Sequence, residues 1–306
     1  MNSRLFFVVN PTAGNGKAKK LWPKVTERLK AEGIKFDFVE TTCKGDAIQI
    51  TKHAATKNYK CFISIGGDGT FHEMINGLME ANLPRLPTVF LLPIGTGNDF
   101  VRQHRIPTWG VEWLKILQAF NIKKHNVGQL TYFVKEEKKS RYFINVAGLF
   151  YDGYIVRATT LRKRPISSSF QYLLLILKFL FKYKPPTGKI TWAKGVLSGA
   201  FYTANIGISR FSGGGMRFVP HANPFGEQFA ITIAKNMHPI RVLLSTHFFY
   251  NGKVAKHSKI TCFKTDVITI SPTSIEEIHV EADGEYLGVA PSAFKMIKGG
   301  FWLVCP

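Results

Sequence analysis

The run from Cys61 to Glu73, CFISIGGDGTFHE, brings together residues that could manage phosphate. Five strand-forming residues (Cys61, Phe62, Ile63, Ser64 and Ile65) lead into Gly66-Gly67-Asp68-Gly69-Thr70. An apolar pattern at helical spacing follows at Phe71, Met74, Ile75, Leu78 and Met79. Glycines let the backbone bend and approach a ligand, and a helix start aims free N–H groups and a positive dipole end at it. A glycine turn built for geometry alone would not need Asp68. A carboxylate repels bare phosphate, so a bridging Mg²⁺ is the way to make it useful there.

Two further loops share this character. Asn10-Pro11-Thr12-Ala13-Gly14-Asn15-Gly16-Lys17 follows a short apolar strand and precedes a helix with Leu21, Trp22, Val25 and Leu29 on one face. It is not a Walker A loop, because Ala18 follows Lys17 and the glycine spacing differs. Pro93-Ile94-Gly95-Thr96-Gly97-Asn98-Asp99-Phe100 follows another strand, and Asp99 there either supports the site or caps a helix. Near the C-terminus, Glu281-Ala282-Asp283-Gly284-Glu285 gathers three acids in a chain poor in them. Its Asp-Gly pair also reads as a hairpin corner.

The elements needed to position these loops are legible. Strands at residues 5–9, 34–38, 61–65 and 88–92 alternate with helices, the second helix starting near Gly45 with Asp46 as N-cap and the last presenting Val111, Leu114 and Leu117. That alternation predicts an α/β domain, a parallel sheet with helices on both faces, with ligands at the carboxyl ends of the strands. Asn10, Thr41, residues 66–70 and residues 95–99 all fall at such ends and predict a nucleotide cleft. From Asn126 onward, strand-like segments at 131–134, 141–146, 189–192, 201–208, 229–234, 259–263 and 267–270 are joined by short turns, predicting an antiparallel β-sandwich. Residues 170–183, FQYLLLILKFLFKY, interrupt this pattern as an apolar helix that either touches a bilayer or packs on the sandwich, the packed reading being favoured.

Composition narrows the partners. The chain has 306 residues, 45% apolar and 20% charged, which suits a folded chain of two domains. Its 41 Lys and Arg against 20 Asp and Glu leave a formal +21, which points to an anionic partner. Zinc-finger, RNA-binding and helix-turn-helix patterns are absent, so nucleic acid is not expected. Anionic lipid headgroups fit better. Four scattered cysteines without a CxxC pair suit a reducing compartment, and neither a signal peptide nor a spanning stretch of ~20 apolar residues is found. The expected location is cytoplasmic, peripheral to the membrane.

The GGDGT pentapeptide resembles the signature of the diacylglycerol kinase catalytic-domain family, which NAD kinases share. The run LLPIGTGNDFVR resembles the lipid kinases and departs from NAD kinases, and YFINVAGLFYDG (142–153) resembles the stretch that opens the family's second domain. The resemblance implies ATP-dependent phosphorylation of a lipid hydroxyl, diacylglycerol- or sphingosine-like, presented at a membrane surface, with ATP and Mg²⁺ as cofactors. It implies a nucleotide-binding α/β domain at 1–125, completed by residues 296–306, and a sandwich at 126–295. Candidate nucleotide-holding residues are Asn10, Pro11, Thr12, Ala13, Gly14, Thr41, Gly66, Gly67, Asp68, Gly69, Thr70, Phe71, His72 and Thr96. The resemblance implies Asp68 as the metal-side acid and Glu285 of the DGE motif as the proton acceptor, with Asp68 second for that role.

Two positions depart from the family. Asn126 stands where an Asp joins an acid–water–metal network. In the loop after Pro220-His221-Ala222, Gly226 replaces the Asp of a structural Mg²⁺ site and Glu227 is displaced by one, so that site is not expected in its usual form. The alternatives are an NAD kinase and a catalytically impaired nucleotide- and lipid-binding protein. The oligomeric state stays open, a homodimer included.

Overall fold

Leu5–Val9 (β1), Cys61–Gly66 (β3) and Thr88–Pro93 (β4) are almost wholly apolar, as strands covered on both faces must be. In the computed structural model, which describes residues 4–57, 59–95, 97–162 and 178–306, they form the middle of a parallel sheet. Phe36–Glu40 (β2) pairs with β1 at one edge, which leaves Phe38 and Val39 largely exposed. At the other side Trp302 and Leu303, near the end of the 20-residue strand Glu285–Val304 (β14), pair in parallel with Thr88 and Val89 of β4.

Helices connect these strands: α1 (Ala13–Ala31), α2 (Asp46–Ala54) and α3 (Asp68–Glu80). Right-handed crossovers require α1 on one face and α2 with α3 on the other. The last two pack so closely that a Cβ at Gly77 would lie 2.4 Å from the Ile48 carbonyl oxygen. Two differences from the sequence expectations appear here. Gly45, left-handed at φ 91°, is the N-cap of α2, and Asp46 is its first helical residue. On α5 (Val111–Ala119) Val111 is 71% exposed, while Trp113 is buried and donates its indole N–H to the Leu91 carbonyl at 2.9 Å. A tryptophan goes inside because that carbonyl satisfies its one polar atom.

By contacts the chain divides into two compact units, one of Met1–Val127, Gly213–Gly215 and Ile297–Pro306, the other of Gly128–Ser212 and Met216–Met296. The second unit is antiparallel throughout. The Phe229–Lys235 strand (β10) pairs with Ile260–Thr265 (β11) and with Gly195–Gly207 (β9). Val146–Phe150 (β7) continues from β9 to His279–Ala282 (β13) and then to β14. Thr187–Trp192 (β8) lies between β9 and Val267–Pro272 (β12), and β12 returns to β14. Ile122–Val134 (β5) and Glu137–Phe143 (β6) form a hairpin closed at Lys135-Glu136. Inward residues such as Phe143, Phe201, Phe229, Ile231, Ile268 and Phe294 build one core. Each full burial contributes about 1.5–3 kcal/mol.

Two helices of this unit lie outside the sequence expectations: α6 (Tyr151–Thr160) and Pro239–Asn251, here α7. Of the apolar run at 170–183, residues up to 177 lie outside the described residues. In the rest, Leu180 is buried with Tyr151, Ile155 and Tyr202 while Phe181 is 59% exposed. Among the described residues no helix is long and apolar enough to cross a membrane.

Candidate active-site elements

In the first unit the backbone aligns four strand ends. Thr41 N–H donates to the Val9 carbonyl (2.8 Å), Asn10 N–H to Ile65 (2.9 Å), and Ile94 N–H to Gly66 (2.8 Å). The loops that leave these ends are packed glycine against glycine. A Cβ on Gly95 would fall 2.7 Å from the Gly67 Cα, and one on Gly14 would fall 2.6 Å from the Ile94 carbonyl oxygen. Any side chain there would push the loops apart, so close approach demands glycine at Gly95, and close approach with a left-handed backbone demands it at Gly14.

Side chains then tie loop to loop. Asn10 donates its amide to Thr70 Oγ1 (3.0 Å) and accepts the Thr12 amide (3.1 Å) and hydroxyl (2.8 Å) on its Oδ1. Asp68, the first residue of α3, turns its carboxylate onto the start of the next helix, α4 (Asp99–His104). Oδ2 accepts Asp99 N–H at 2.8 Å and Oδ1 accepts Phe100 N–H at 3.3 Å. An acid at a helix N-terminus satisfies orphan amides and complements the dipole. Asp99 itself is not the N-cap, which is the left-handed Asn98; its carboxylate accepts Arg102 Nη1 (2.8 Å) and Gly214 N–H (2.9 Å). Burial pushes the Asp99 carboxyl above its usual range, against the lowering pull of those amides and of Arg102.

The other expected residues are placed as follows. Pro11 and Thr12 form a turn, and after Ala13 the residues Gly14, Asn15 and Gly16 are all left-handed (φ 61°, 57° and 82°) ahead of the regular part of α1. Thr70 is buried over Gly66, whose missing Cβ would collide with its hydroxyl. Gly69 is exposed on the first turn of α3 with open space around it. Phe71 and His72 go elsewhere: Phe71 packs on Phe100 (4.6 Å), and His72 is 1% exposed with its ring beside Asn76 (3.2 Å). Their side chains face the interior because α3 turns its apolar stripe to the sheet. Thr96 lies outside the described residues. Glu73, given no role by the sequence, is buried and accepts Gly45 N–H at 3.0 Å, fastening the loop after Thr41 to α3.

The second group belongs to the sandwich unit. Asp283 (φ 50°) and Gly284 (φ 82°) form the two-residue corner between β13 and β14, the left-handed pair that Asp-Gly favours. Asp283 does more than turn the chain. Its carboxylate accepts the amides of Ile144 (2.8 Å), Asn145 (2.8 Å) and Val146 (3.1 Å), pinning the corner to the start of β7. Glu285 follows at 13% side-chain exposure and accepts Arg141 Nη2 at 2.9 Å. Arg141 on β6 thus orients Glu285, while Asp283 accepts the amides of 144–146 and Glu281 that of Gly284.

Behind the corner lies a carboxyl pair that no sequence signal announced. Glu281, 4% exposed, accepts Gly284 N–H at 2.9 Å. Its Oε1 and the Asp152 carboxyl converge over Gly148, where a Cβ would meet them at 2.5 and 3.3 Å. Asp152 accepts the Thr203 hydroxyl, which also accepts Asn205 Nδ2 (3.0 Å). Burial pushes Glu281 well above the carboxylate range, and the charge of Asp152 adds to it. Burial likewise raises Asp152, to about 6. Burial and the neighbouring charge both favour the protonated form of Glu281.

These loops carry the groups a magnesium nucleotide needs. Glycine backbones without Cβ atoms, the start of α3, the Asp68 carboxylate and exposed Lys17 offer amides, a hard oxygen donor and a cation for phosphate. Asn98 Oδ1 is buried among them with no hydrogen-bond partner. In the sandwich unit Asn145 Oδ1 and Arg141 Nε are buried in the same state. The residues fit. At the two departures, Asn126 is buried and accepts Gly299 N–H (3.0 Å), while Asn223 accepts the Phe225 amide (3.1 Å) within its own loop. Among the described residues no three His, Cys, Asp or Glu side chains gather to hold a metal ion.

Comparison with known proteins agrees with this layout. The profile of the diacylglycerol kinase catalytic domain matches residues 4–130, and that of the YegS C-terminal NAD kinase beta sandwich-like domain matches residues 148–304. A diacylglycerol kinase of Staphylococcus carnosus is 26% identical over 298 residues, 97% of this chain and 94% of the relative. One from Staphylococcus aureus is 27% identical over 294 residues, 96% and 90% of the two chains. Among solved structures, a diacylglycerol kinase from Bacillus anthracis superposes with TM-score 0.72 at 22% identity, over 99% of this chain and 97% of that one. Yeast NADH kinase complexed with NADH gives 0.53 at 11% identity, over 100% and 84%.

Proposed function

This chain belongs to the diacylglycerol kinase catalytic-domain family with a YegS-type sandwich, and on that footing we propose that it is a lipid kinase transferring the γ-phosphate of ATP to a lipid hydroxyl, diacylglycerol being the first acceptor to test. The observation that carries the reading is the closure of three glycine loops on one another with Asp68 bridging α3 to α4. The loops at Asn10–Gly14, Gly66–Thr70 and Gly95–Asn98 surround the triphosphate, which the first-turn amides of α3 meet, and Thr41 borders them. Magnesium travelling with ATP neutralises the phosphate charge, and Asp68 is the carboxylate that would hold it. Because both Asp68 oxygens already accept α4 amides, its part is to keep the loops together and face the metal. Glu285 is the proton acceptor. Arg141 orients it, and Asp283 with Glu281 fixes the corner that carries it. General-base removal contributes typically 10²–10⁴-fold.

The test is transfer of γ-labelled phosphate from ATP to a total lipid extract by wild type, Glu285→Gln and Asp68→Asn. A labelled lipid whose formation drops at least ~10²-fold in Glu285→Gln, with ATP affinity unchanged, supports the assignment. A Glu285→Gln enzyme as fast as wild type sinks the base role. A wild type that labels NAD and no lipid would give the NAD kinase reading instead, which the fold likeness to yeast NADH kinase keeps in view. A nucleotide-binding protein without turnover is the reading if ATP binds and nothing is labelled.

A further inference from the structure

Helix α7, PIRVLLSTHFFYN, is apolar on two sides but, among the described residues, has a partner on only one. The inner side packs on the sandwich unit: Val242 joins the cluster of Tyr151, Ile155 and Tyr202, Ser245 Oγ meets His257 Nε2 at 3.0 Å, and Phe249 stacks near Phe218 at 4.9 Å. The outer side presents Ile240, Leu243, Leu244, His247 and Tyr250, spaced three, one, three and three apart, so they form one stripe. Ile240 is 52% exposed, Leu244 70% and Tyr250 63%. Isolated exposed leucines are ordinary, whereas a stripe of them along a helix marks a surface meant to be covered.

Charge identifies the cover. Between Gln228 and Thr265 the sequence contains no Asp or Glu and six basic residues, among them Arg241 on the helix and Lys253 and Lys256 just beyond it, all exposed. Two copies of this chain meeting here would set like charge against like charge. A mostly apolar stripe of five residues along a 13-residue helix ~20 Å long, flanked by cations and ended by a tyrosine, has the make-up of a helix lying in the plane of a lipid–water interface. We propose that α7 is a membrane-docking element whose outer stripe enters the headgroup layer of a bilayer bearing anionic lipid, with Arg241, Lys253 and Lys256 meeting the phosphates. This holds whether or not the chain is a kinase.

The experiment is sedimentation with vesicles of phosphatidylcholine alone or with about one-third phosphatidylglycerol, without ATP. Wild type is expected to bind the anionic vesicles and to lose that binding at ~0.5 M salt. Ile240→Gln with Leu244→Gln should weaken binding about tenfold, and Lys253→Glu with Lys256→Glu at least as much, with thermal melting unchanged in both. The lysine pair serves as the independent variant should the first fold poorly. Equal binding to neutral and anionic vesicles, or variants that bind like wild type, would overturn the proposal. So would a wild-type dimer in sedimentation equilibrium that these substitutions split. Phosphate transfer to a short-chain soluble lipid, measured in parallel, should be the same in the stripe variants and wild type. A silent transfer assay with intact vesicle binding counts against the kinase reading alone.

Discussion

Gly69 separates a glycine kept for a ligand from one kept for the fold. It lies exposed on the first turn of α3, and a Cβ built there meets nothing within 4 Å. In the free protein Gly69→Ala should therefore stabilise, since alanine is favoured over glycine in a helix by about 1 kcal/mol. That raises the melting temperature of this unit by ~2–4 °C. With nucleotide the sign reverses, because the methyl stands where phosphate must approach the amides. Loss of one charge-assisted hydrogen bond costs about 2 kcal/mol, or ~30-fold in affinity. At an ATP concentration 100 times the wild-type Kd, ligand stabilisation should fall from about 2.7 to about 0.9 kcal/mol. The assay is thermal melting with and without magnesium and ATP, beside Gly66→Ala as control. There the new Cβ would lie 2.5 Å from Thr70 Oγ1, and a loss of about 1–3 kcal/mol is expected without nucleotide. A Gly69→Ala protein that melts higher yet keeps the full ATP shift would refute the placement of phosphate at this helix start.

Two other outcomes are expected. Asp152 is raised in the fold from 3.8 to about 6, so the folded state binds more protons than the unfolded one between those values and stability falls as pH rises through them. Asp152→Asn should flatten that slope in denaturant titrations at a series of pH values, converging with wild type below about pH 4, and an unchanged slope would dismiss the raised carboxyl. Asp99→Ala removes the acceptor of Gly214 N–H and Arg102, and should cost about 1–3 kcal/mol in chemical unfolding. Asp99→Asn, which keeps an acceptor oxygen, should recover part of it.

Legibility followed range. Features set by neighbours in sequence could be read directly: apolar runs as strands, glycines after them as loops, Asp-Gly as a corner, the change from alternating helices to short strands near residue 126. Even there the detail slipped at Gly45 and Val111, where cap geometry and a tryptophan with a waiting carbonyl outweighed the pattern. Helix α7 escaped because apolar residues on two sides give it no clean periodicity.

What the sequence determined by itself was which residue types stand at the strand ends, since a phosphate loop and a hairpin corner are built from a few consecutive residues. Which group each carboxylate serves was decided only by the tertiary structure. Asp68 is given to α4, Asp283 to the amides of 144–146, Glu285 to Arg141, and Glu281 to the Gly284 amide beside buried Asp152. The physical reason is that a carboxylate's role depends on the amides, cations and dryness around it. Those neighbours come from strands and helices far apart in the chain, so they exist as neighbours only once it has folded.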